Sequence, residues 1–103
     1  MAQVILHPLA NCDREDAILH YSREGRALGQ RFEDEAQRVI GRIERQPRTW
    51  PIFERELRRC IFDVFPYAAI YRLIDDTAYV VALAHLRRRP GYWYERLKDL
   101  PEP

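Results

Sequence analysis

Apolar residues recur every three or four positions as far as Ile43 and follow a strand-like pattern from Leu57 onward. The two regimes meet at Gln46-Pro47-Arg48-Thr49-Trp50-Pro51, where two prolines fall within six residues. Proline ends a helix and biases the residue before it toward extended backbone, so the chain is divided into a helical first half and a sheet-forming second half. Before that divide, Leu28, Phe32, Ala36, Val39, Ile40 and Ile43 share one face of an amphipathic helix of about 18 to 20 residues that stops near Pro47. Residues 12 to 24 read as a preceding helix, with Asn11 or Asp13 as cap, Glu15 and Asp16 in its first turn and Gly25 at its end. The short link predicts an antiparallel helical hairpin. Gln3-Val4-Ile5-Leu6-His7, stopped by Pro8, predicts an opening strand.

After the divide, Leu57 to Val64, Tyr67 to Ile74 and Ala78 to Leu86 read as three strands, separated by Phe65-Pro66 and by a turn at Asp75-Asp76. Gly91 to Leu100 is aromatic and charged and reads as a short C-terminal helix or an extended tail. The order β-α-α-β-β-β predicts an α+β fold in which an N-terminal strand and a helical hairpin pack with a mostly antiparallel sheet completed by three C-terminal strands, the opposite sheet face remaining open. At 103 residues this is one domain, spanning 1–103, and 47% hydrophobic residues suffice for a core without disulfides, metals or cofactors. No apolar run approaches the ~20 residues that span a bilayer, so no membrane association is expected. Cys12 and Cys60 lack metal-ligand spacing and read as buried small side chains, which fits a reducing cytoplasm.

Net charge is only +1, yet of 17 basic residues all but Lys98 are arginine. Residues 1 to 56 carry nine basic and ten acidic side chains, whereas residues 57 to 98 carry eight basic and four acidic. Any anion-facing surface therefore belongs to the second half, where Arg58, Arg59, Arg72, Arg87, Arg88 and Arg89 are candidates for binding a target or nucleic acid. By the two-residue period of a strand, Arg72 shares a face with Ala68, Ile70 and Ile74. It is either paired with Asp63 or Glu95 or held ready for an anion. Three successive arginines after a strand are ordinarily a solvated end. Trp50-Pro51-Ile52-Phe53 reads as a loop plug or as an apolar patch for a partner, and Tyr92, Trp93 and Tyr94 as aromatics closing the sheet.

Phe65-Pro66-Tyr67-Ala68-Ala69-Ile70-Tyr71-Arg72, followed by a strand ending His85-Leu86-Arg87-Arg88-Arg89-Pro90, resembles the ParE/RelE superfamily of bacterial type II toxins. Asp16, Tyr21, Gly29, Phe32, Ile43 and Pro47 extend the resemblance through the first half. It implies a growth-inhibiting toxin masked by a cognate antitoxin, with operator DNA reached only through the toxin–antitoxin complex. The ParE-like branch, favoured here, implies binding to DNA gyrase, with Trp50, Phe53 and Trp93 as candidates for the antitoxin surface. The RelE-like alternative implies ribosome-dependent messenger RNA cleavage. That chemistry needs a base, an acid and positive charge at the phosphorane, for which Arg72, His85 and Tyr92 are the candidates. The RelE-type lysine-rich cluster is absent, because the single lysine is Lys98. A third expectation is a non-toxic member that only binds its antitoxin.

Overall fold

The computed structural model describes residues 1–102. β1 (Gln3–Leu6) leads into α1 (Pro8–Glu24) and α2 (Arg26–Arg45). These are followed by β2 (Ile52–Glu54), β3 (Leu57–Ile61), β4 (Tyr67–Ile74), β5 (Thr77–His85) and a closing 3-10 turn, Tyr94–Asp99. The sheet order is β1-β5-β4-β3-β2. β3, β4 and β5 form the antiparallel meander expected from the strand-rich second half, β2 extends it as an unexpected edge strand, and β1 adds to β5 in parallel.

α1 starts four or more residues earlier than a cap at Asn11 or Asp13 predicts. His7 is the cap: its Nδ1 accepts the Leu9 amide at 3.0 Å, and Pro8 takes the first helical position, where its fixed φ fits and its missing N–H is no loss. Asp13 is thereby released for a distant partner. α1 buries only Ala10 and Ala17. Small side chains let α2 approach closely, and at Gly29 a Cβ would lie 2.0 Å from Ser22 Oγ. α2 buries Phe32, Ala36, Val39 and Ile43, which pack on Tyr67, Ala69 and Tyr71 of β4.

β3 ends at Ile61 rather than Val64. The buried Glu35 carboxylate draws the next amides off the ladder, accepting from Asp63 N at 2.5 Å, from Val64 N at 3.2 Å and from Phe65 N at 3.4 Å. Ile52 and Phe53, read as a loop plug or an apolar patch, instead join Glu54 in a strand that pairs with β3 across a two-residue turn in which Arg55 and Glu56 both have positive φ. Such a turn is usually marked by Asn or Gly, so its residues carried no signal. Cys60 is buried as expected, whereas Cys12 is exposed on α1.

β5 carries a bulge: Ile70 pairs with Ala82 and Tyr71 with Val80, leaving Val81 without a partner. The extra residue turns Val81 and Ala82 to the same side. That side, opposite the helices, is not open. It is covered by residues 91–100, with Trp93 buried over Leu57, Ala68, Ile70 and Ala84.

Tyr71 is fully buried and its hydroxyl donates to Pro47 O at 2.5 Å, tying the interhalf loop to the sheet. Burial pushes the Tyr67 and Tyr71 phenols up from 10.0 to about 12. Both hold their protons more tightly folded than unfolded, so their contribution is complete below pH 10 and is lost as pH rises toward 12. Alkaline titration followed by far-ultraviolet circular dichroism should show unfolding in that window, with the tyrosinate absorbance of Tyr67 and Tyr71, taken as the difference from the Tyr67→Phe and Tyr71→Phe variants, appearing together with the loss of structure. Ionisation of these two phenols well ahead of unfolding would contradict the burial argument.

Candidate macromolecule-binding surface

The turn after β5 places Arg87, Arg88 and Arg89 in solvent at one end of the sheet. The turn is closed by Arg88 N donating to His85 O at 3.0 Å, and by Arg87 N donating to His85 Nδ1 at 3.0 Å. Arg59, on the far face of β3, borders the same groove as Arg88, whose floor is Ala68, Ile70 and Ala84 and whose wall is Pro90 and Trp93. Among the described residues, none of Arg59, Arg87, Arg88 and Arg89 forms an ion pair. The apolar floor with an unneutralised arginine rim suits a partner that brings both negative charge and apolar side chains. Next to it, Trp50, Pro51, Phe53, Arg59 and Ile61 line a depression of about 320 Å³, with Ile61 half exposed in it. The Arg59 guanidinium lies 4.9 Å from the Phe53 ring centroid.

Other arginines of the second half serve the fold. Arg58 donates to Trp50 O at 2.7 Å, holding the proline-rich loop against β3. Arg72 pairs with neither Asp63 nor Glu95. Its Nη2 donates to Arg55 O at 2.5 Å, while Asp63 is taken by Arg42 at 2.6 Å, which holds the Asp63 carboxyl below its usual range. Trp50 and Phe53 meet at the depression, but Trp93 is only 6% exposed and forms the groove's buried wall.

Arg72, His85 and Tyr92 do not converge. His85 pairs with Tyr67, five residues along β4 from Arg72, or about 17 Å at the usual strand rise. The two also lie on opposite faces: His85 stands edge-on to Tyr67 of the helix-side core at 5.1 Å, while Arg72 follows Ile70 on the far face. The Tyr92 hydroxyl donates to Asp13 Oδ2 at 3.0 Å, and burial together with that carboxylate raises its pKa.

Asp13, Arg96 and Glu35, which organise these surfaces, were not singled out by sequence for that purpose. Asp13 accepts from Leu83 N at 3.2 Å, beyond the end of β1, and from Arg96 Nη1 at 2.8 Å. Arg96 also donates to Val81 O at 2.8 Å, the carbonyl of the bulge residue. With Asp13 and Arg96 separated by 83 positions, no local spacing could have signalled the pair.

A helical hairpin on a five-stranded mixed sheet, with an arginine-rimmed groove at one end, defines a RelE/ParE-like α+β fold. The chain belongs to the ParE toxin family: residues 4–90 match the family model described as the ParE toxin of the type II toxin-antitoxin system, parDE. That family implies an antitoxin as partner. Among solved structures the chain is similar to one from P. aeruginosa, described as its chromosomal ParDE TA system. The TM-score is 0.65 at 12% identity, covering 84% of this chain and 98% of that one. No curated protein matches the chain. No helix among the described residues is long and apolar enough to cross a membrane.

Proposed function

We propose that this ParE-family chain arrests growth by binding DNA gyrase through the arginine-rimmed groove, and that its antitoxin neutralises it by docking on the neighbouring depression of Trp50, Phe53 and Ile61. The observation that carries this reading is the set of four arginines, Arg59, Arg87, Arg88 and Arg89, gathered without carboxylate partners on a chain of net charge +1. Unpaired arginines retain their capacity for bidentate contact with carboxylates or phosphates. Binding needs no convergent acid and base, which accords with the separation of Arg72, His85 and Tyr92.

The double variant Arg59→Glu/Arg88→Glu should weaken inhibition of gyrase supercoiling by at least about tenfold, as loss and reversal of two interface charges would. Circular dichroism should remain native, because the Arg59 and Arg88 side chains are held only by stacking, on Phe53 and Tyr92. His85→Ala should inhibit as the wild type does. Cut transcripts after induction, abolished by His85→Ala, would overturn the reading in favour of messenger RNA cleavage.

A further inference from the structure

Residues 91–100 lie beyond the stretch that the family model matches, and they cover the sheet face opposite the helices. Their attachment is unusual for a covering element. Beyond those within the 3-10 turn, the backbone hydrogen bonds they donate stay inside the segment: Tyr94 N to Gly91 O, Arg96 N to Trp93 O and Leu100 N to Leu97 O. Among the described residues no backbone bond joins the segment to the sheet. It is held by side chains alone, through Arg96 on Asp13 and Val81 O, Tyr92 on Asp13, Tyr94 on Glu54 and Asp99 on His7. Lifting it therefore breaks no rung of the sheet.

Two observations favour such lifting. The indole Nε1 of Trp93, on the segment, and Nε of Arg72, on the strand face it covers, are both buried without a partner. Closure leaves these donors unsatisfied and opening hydrates them, which narrows the gap between the two states. The segment also begins at a glycine with φ +85°, directly after Pro90, where a Cβ would lie 2.5 Å from Tyr94 Cε2. Only glycine accommodates both the backbone and the ring, so the closed state depends on this one residue.

Closure also immobilises cations. Arg88 stacks 3.7 Å from the Tyr92 centroid and Arg55 3.8 Å from that of Tyr94. We infer that residues 91–100 are a self-masking strap that opens about Gly91 without unfolding the sheet, and that in its closed state it pins the Arg88 guanidinium on Tyr92 and withholds the apolar face beneath from the target. The masking half of this inference rests on the gyrase-binding reading above, whereas the opening half does not.

Hydrogen exchange on the full chain tests the opening. The amides of Tyr94, Arg96 and Leu100 should exchange at least about 100-fold faster than those of the β4–β5 ladder, as separately opening units do. Gly91→Ala should speed strap exchange further, by about tenfold for a strained left-handed alanine, with ladder exchange unchanged. Exchange of strap and ladder at one common rate would overturn the inference by making the segment part of the cooperative fold. Carbene labelling of Ile70 and Ala84 should rise in Gly91→Ala, and unchanged labelling despite faster exchange would show that nothing is unmasked. In the gyrase assay Gly91→Ala should inhibit at a concentration about threefold lower, following the larger open population. Weaker inhibition would identify the strap as part of the contact rather than its mask. If neither protein inhibits gyrase, the functional reading fails, while exchange and labelling still decide whether the strap opens and what it uncovers. Trp93→Ala, which removes the strap's anchor without touching the hinge, should reproduce the exchange and labelling results.

Discussion

Glu35→Ala is expected to lower stability by about 3–5 kcal/mol, the range for removing a buried charged acceptor and leaving several donors unpaired. Glu35 is only 2% exposed, and its two oxygens serve the consecutive amides of Asp63, Val64 and Phe65. No other carboxylate in the described chain accepts more than one backbone amide. Without it the β3–β4 connection must either desolvate three N–H groups or swing into water, and swinging out would withdraw Phe65 from the core. Glu35→Gln keeps one acceptor oxygen and should recover about half of the loss. Urea denaturation of the three proteins, compared at equal m-values, measures this. A loss under about 1 kcal/mol for Glu35→Ala would show that the loop finds other partners.

Phe32→Ala should cost a similar amount, about 3–5 kcal/mol, through lost burial plus the cavity left behind. Phe32 is fully buried at the centre of an aromatic cluster, 4.9 Å from the Tyr67 centroid, 5.2 Å from Phe65, 5.4 Å from Phe62 and 5.6 Å from Tyr21. Tyr67 and Phe65 stand edge-on to Phe32 while Tyr21 and Phe62 stack on it, and rings held in such different orientations around a common neighbour cannot all shift inward at once, so the cavity would persist. Phe32→Leu should lose clearly less, and thermal melts should rank wild type, Leu and Ala in that order. Equal melting of the Leu and Ala variants would mean that the cluster collapses to fill the gap.

These two residues mark the boundary of what sequence could show. Phe32 was legible as a core position because it sits in the three-to-four repeat of α2, and that repeat alone implies a buried face. Glu35 lies three residues further along the same helix and reads as one more charge among Glu33, Asp34 and Arg38. Its burial depends on amides 28 to 30 positions away, and a sequence pattern carries no information about such partners. His85 and Arg72 illustrate the same limit from the other direction. Both stood at conspicuous places in strong strands, but strand alternation and the pairing of Tyr67 with His85 put them on opposite faces.

Periodicity and proline placement by themselves determined that this chain makes a helical hairpin followed by an antiparallel meander. Those signals are local: a 3.6-residue or two-residue repeat and a missing N–H act within a single element, whatever it later packs against. The tertiary structure alone decided which arginines are free and which are used. It also determined that β1 joins β5 in parallel, that a bulge at Val81 offers its carbonyl to Arg96, and that residues 91–100 close over the far face. Each of these depends on groups brought together from distant parts of the chain. An arginine looks the same in sequence whether it meets a carbonyl, a ring or water, and only the fold determines which of the three surrounds it.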